Sequence, residues 1–107
     1  MNITTVRIET TYANRAAAIE ELAGIVEDLI DLKTARAVEL AQKVEAGLYA
    51  DCKNEDQRKA AAALAFQATD AMIKGKEKGE REARLSLDLA NNETSLIEAL
   101  IKLAAMQ

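Results

Sequence analysis

Apolar residues recur at helical spacing along most of this chain. Between about residue 14 and residue 49, Ile19, Ala23, Val26, Ile30, Ala37, Ala41, Val44 and Leu48 fall on one stripe, widened by Leu22, Leu29 and Leu40. The spacing predicts one amphipathic helix over residues 14–49, roughly ten turns at 3.6 residues per turn. Ahead of it, Ile3 to Ile8 is β-branched apart from Arg7, which favours extended backbone but offers no second strand to pair with. Residues 1–12 are therefore expected to form an extended arm.

Tyr49 to Asn54 is a polar break, and Asn54 followed by Glu55, Asp56 and Gln57 has helix-start chemistry, with acids placed on the helix dipole. A short alanine-rich helix is expected over 54–69, with Leu64 and Phe66 as its bulky apolar residues. Thr69 and Asp70 can cap a further helix over 70–105, weakened by Gly75 and Gly79 by about 1 kcal/mol each relative to alanine. A single unbroken helix over 54–105 is the alternative, since no proline interrupts it.

The two long segments match in length, so they can lie antiparallel over about 54 Å at 1.5 Å per residue, with residue 14 facing residue 105. The predicted architecture is an all-α single domain spanning 1–107, a long helical hairpin with a short connecting helix. On the third segment the apolar groups cover an arc of about 200° at 100° per residue. Leu87, Ala90, Ile97, Ile101 and Ala104 lie on one side of it, and Leu85, Leu89, Leu96, Leu100 and Leu103 on the other. One partner helix cannot cover such an arc. The leucine row is the expected interaction face, for the N-terminal arm, a second subunit of a coiled-coil-like oligomer (a dimer in the simplest case), or another protein.

Composition narrows the chemistry. The chain has no histidine, proline or tryptophan, and half of it is hydrophobic. Lacking the side chain that most often moves protons near neutral pH, and with Cys52 its one cysteine, it offers neither the usual general base nor a structural zinc site. Neither an enzyme, a cofactor nor a metal centre is expected. Asp28 with Asp31, and Glu77 with Glu80, have the i, i+3 spacing of metal-binding carboxylates in all-α nucleotide hydrolases, but the order and identities differ from that pattern. A metal-dependent nucleotide hydrolase is the least favoured of three readings.

The net charge is −4, so no overall positive field attracts nucleic acid or acidic lipid. Lys74, Lys76, Lys78, Arg81 and Arg84 are the candidate phosphate contacts, and they carry the second reading, an accessory protein of DNA metabolism or nuclease control. Interleaved glutamates and the lack of an accompanying aromatic weaken it. Gly75 and Gly79 form a small-x-x-x-small pair at a polar site, better suited to a hinge or frayed turn than to close helix approach. A lone thiol suits a reducing, cytoplasmic setting, and the sequence has no membrane-spanning apolar run. Cys52 beside Lys53 is read as a small residue under the turn. Lys33 interrupts the first stripe. It either pairs across the hairpin with Glu82 or Glu93 or carries its ammonium out to solvent.

The run Tyr49 to Ala62 resembles a pattern in small phage and prophage helical proteins, where Asn-Glu-x-x-Arg-x-Ala follows a long first helix. The matching residues are Asn54, Glu55, Arg58 and Ala60. The resemblance implies a helical accessory protein. The first reading is accordingly a non-enzymatic, self-associating protein-interaction module.

Overall fold

The computed structural model describes residues 4–107, most of which are helical, with no strand among them. Three helices follow in order: α1 (Thr5–Glu45), α2 (Glu55–Ala65) and α3 (Gln67–Ala105). Helices α1 and α3 pack together as a hairpin. The described chain divides into two compact units. One joins the residues up to Ile25 to Gly79–Gln107, and the other is Val26–Lys78.

The expected extended arm is helix from Thr5 onward, and residues 1–3 lie outside the described residues. Strand propensity loses because a cap is present and one face finds cover. The Arg7 amide donates to Thr4 Oγ1 at 3.1 Å, and the Thr11 hydroxyl donates to the Arg7 carbonyl at 2.8 Å, leaving Thr11 buried.

At its other end α1 stops four residues short of Tyr49, for a reason visible in the sequence. Gly47 takes φ 75°, its amide donates to the Val44 carbonyl at 3.0 Å, and the Leu48 amide reaches back to the Lys43 carbonyl at 3.1 Å. That pair of bonds is a Schellman stop, which needs a left-handed residue and so favours glycine. Helix α2 begins where Asn54 predicts. The Asn54 side chain accepts from the Gln57 amide at 2.8 Å, and Gln57 Oε1 accepts from the Lys53 amide at 2.7 Å.

Whether 54–105 is one helix or two is decided at Phe66. Its backbone leaves helical geometry (φ −106°, ψ 19°), yet its amide still donates to the Ala62 carbonyl and its carbonyl accepts from the Asp70 amide. The result is a bend without a loop. No fresh start occurs at Thr69 and Asp70, because α3 is already running from Gln67.

The face of α1 that packs is one edge of the predicted stripe, the edge that carries Leu22, Leu29 and Leu40. Ile19, Ile30, Val44 and Leu48 are exposed, and the covered positions are Ala18, Leu22, Ile25, Leu29, Leu32, Arg36, Leu40 and Lys43, one step around the helix. Steps of four and three alternate along most of this row, the heptad spacing of a coiled-coil seam. The partner row starts at Phe66, just ahead of α3, and keeps the same spacing along α3 through Ile73, Lys76, Ala83, Leu87, Ala90, Thr94 and Ile97. The seam that packs carries Leu22, Leu29 and Leu40 from the edge of that stripe together with Leu32, whereas the centre of the stripe is mostly alanine and valine and contains Lys33. More apolar area leaves water this way.

Lys33 is therefore exposed, and none of the ion pairs among the described residues involves it. The expected pairing with Glu82 or Glu93 is not formed, since the stripe that carries Lys33 faces solvent. The expected register also shifts. Arg15 Nε donates to Asn91 Oδ1 at 2.7 Å and the Tyr12 hydroxyl to Glu98 Oε1 at 3.2 Å, so residue 14 faces the region near Asn91 and not residue 105.

Candidate protein interface

The two units close their seams by different means. In Val26–Lys78, Phe66 is 2% exposed and sits under two cations, with Arg36 Cζ and Lys43 Nζ each 4.7 Å from the ring centroid. Arg36 also grips Asp70, Nε to Oδ1 at 2.6 Å and Nη2 to Oδ2 at 3.2 Å. That hydrogen bond, opposed by desolvation and assisted by the guanidinium charge, holds the Asp70 carboxyl below its ordinary range. Lys76 Nζ meets Asp28 Oδ2 at 3.0 Å.

In the unit built from the α1 start and Gly79–Gln107, the centre is Ile97, fully buried, with Ala18 and Ala83. Two threonines enter this seam, and each satisfies its hydroxyl on its own helix, Thr94 donating to the Ala90 carbonyl at 2.9 Å. Tyr12 is held above its ordinary range, first by desolvation and then by its hydrogen bond to Glu98.

The leucine row stands clear of this seam. Leu85 is 62% exposed, Leu89 63%, Leu96 48% and Leu103 57%, while Leu100 is half-buried. Ile97, Ala83, Leu87 and Ala90 on the other side of α3 are covered. Exposed Asn92, Ala99 and Met106 fall between and beyond the leucines, so Leu85, Leu89, Asn92, Leu96, Ala99, Leu103 and Met106 alternate in steps of four and three. This is a second heptad row on the same helix, lacking cover among the described residues. Its length, about three heptads, follows from the sequence, but that the chain leaves it open does not.

The other candidate residues are less well placed. Among the five basic residues, Lys76 is bound to Asp28 and Arg84 to Glu80 at 3.1 Å, which leaves Lys74, Lys78 and Arg81 on an exposed face with the glutamates between them. Asp28 and Glu80 are engaged by those same cations, and no group of three potential metal ligands is gathered among the described residues. Gly75 has open space at its Cβ position and Gly79 would place a Cβ 3.9 Å from Ile25 Cδ1. Both lie inside continuous helix, so neither forms a frayed turn.

One feature escaped the sequence reading. A groove of about 550 Å³ is lined by Arg36, Leu40, Val44, Tyr49, Arg58 and Ala62, and the Tyr49 hydroxyl beside it is buried without a partner. Its residues are drawn from α1, the turn and α2, so no local motif announces it. Cys52 is half-buried in the same turn.

Comparison of the chain with protein-family models, with curated proteins and with solved structures gives no match. None of the described helices is long and apolar enough to cross a membrane.

Proposed function

We propose that this protein is a non-enzymatic helical interaction module that self-associates, an accessory factor whose working surface is the outer leucine row of α3. One observation carries the reading: Leu85, Leu89, Leu96 and Leu103 lie in a heptad row and remain largely exposed, although the opposite side of the same helix is packed. Scattered exposed leucines are ordinary, whereas a periodic row of them is the apolar half of an unmade helix contact. The phage-like pattern at Asn54, Glu55, Arg58 and Ala60 is consistent with such an accessory role.

The test is sedimentation equilibrium on the whole chain, beside the variant Leu89→Glu/Leu96→Glu. Self-association of the wild type, its loss in the variant, and unchanged helicity by circular dichroism are expected. A wild type that stays monomeric at high micromolar concentration overturns the proposal.

A further inference from the structure

The chain exposes 7957 Å², against about 5,800 Å² expected for a folded monomer of this mass. The excess is larger than the roughly 800 Å² that each partner hides in a standard interface. The leucine row supplies apolar surface for such a contact, and its flanks say what fits it. Asp88 lies on one flank near the start of the row and Lys102 on the same flank near its end. Both are exposed, and neither joins an ion pair among the described residues. An acid at one end and a base at the other make the surface complementary to itself when reversed.

We infer that the occupant of this row is a second copy of the chain, paired antiparallel about a two-fold axis near Thr94 and Ser95. The inference rests on the self-association proposed above and adds its orientation and register. Placing Leu85 opposite Leu103 of the second copy sets Leu89 against its Ala99, and Leu96 against its Asn92. Asp88 then lies beside Lys102 of the second copy, and symmetry makes the pair twice. A parallel pairing brings Asp88 beside Glu93 of the second copy, a like-charge contact made twice. In the antiparallel form the two Glu93 carboxylates approach on the opposite flank, and each has Arg7 Nη2 at 3.7 Å to offset it. Asn92 of each copy falls in the central layers beside the axis, where one polar residue fixes register at a cost in stability.

Charge reversal and directed disulfides test the orientation on the full-length chain. Asp88→Lys and Lys102→Glu should each weaken self-association by about tenfold, and the double variant should return to within about threefold of the wild type. In a Cys52→Ser background, mixing Leu85→Cys with Leu103→Cys should form the mixed disulfide in preference to either homodisulfide. Homodisulfides with self-association intact would overturn the antiparallel arrangement and leave the interaction module standing. So would self-association indifferent to both charge reversals, or growth into open-ended species larger than a dimer. A monomeric wild type would remove both proposals, leaving the row to a different protein.

Discussion

The two units use one seam spacing and arrive at different surfaces. Val26–Lys78 packs its largest fully buried side chain, Phe66, beneath Arg36 and Lys43 and ties the lid down through Asp70. The unit containing Gly79–Gln107 closes on Ile97 with alanines and threonines, and its bulkiest apolar residues, the leucines of the outer row, are left in water. Equal periodicity thus does not imply equal burial. Where a cation lid covers the apolar group the largest buried side chain is an aromatic ring, and where leucines outnumber the available faces the surplus stays exposed.

That contrast is broken most directly by Phe66→Ala. Loss of a fully buried phenylalanine should cost about 3–5 kcal/mol, with amide exchange rising first among Val26–Lys78, read by urea denaturation and hydrogen exchange. Leu89→Ala, on the open row, should leave the denaturation midpoint of the dilute chain nearly unchanged and weaken self-association instead. Equal destabilisation by the two changes would abolish the distinction between the units.

Gly47→Ala should cost about 1–2 kcal/mol, because its φ of 75° lies where an added Cβ meets the carbonyl oxygen. The readout is thermal unfolding. If the variant melts like the wild type, the Schellman stop contributes little to holding the turn.

The Arg36 to Asp70 pair predicts an acid dependence with a definite sign. Asp70 has a folded-state pKa depressed by Arg36, so its contribution is complete above the ordinary aspartate range and is lost as pH falls through the depressed value. Asp70→Asn should be less stable than the wild type at neutral pH, and the two should converge in strong acid. Parallel curves from neutral pH to acid would remove Asp70 from the account.

The smallest expected effect is a gain. Gly75 lies inside α3 with open space at its Cβ position, so Gly75→Ala should stabilise the chain by about 0.5–1 kcal/mol through helix propensity. A loss measured by the same melting experiment would mean that the glycine answers a need absent from these contacts.

Much of the fold was legible in local chemistry. Asn54 with Gln57 announces the start of α2, and the helical period of α1 and α3 is evident without any coordinates. Gly47 acts through local chemistry too, since its left-handed conformation ends α1 before the expected Tyr49. The face of α1 that packs was harder to read. The centre of the predicted stripe and its leucine edge lie one residue step apart, and periodicity alone weighs Ile19 and Ile30 as highly as Leu22 and Leu29. The choice depends on which set buries more apolar area against α3, a quantity set by the partner.

By itself the sequence determined an all-helical chain with a polar break at Tyr49 to Asn54, a capped start at Asn54 and an excess of leucine on α3, because caps, breaks and helical period act over a few residues. Tertiary structure alone decided the register of Arg15 on Asn91, the partner of Arg36, the bend at Phe66 and the exposure of Lys33. Those features join residues that are far apart in the chain or rank competing faces by burial. Local signals carry neither kind of information, since both depend on which surfaces leave water together.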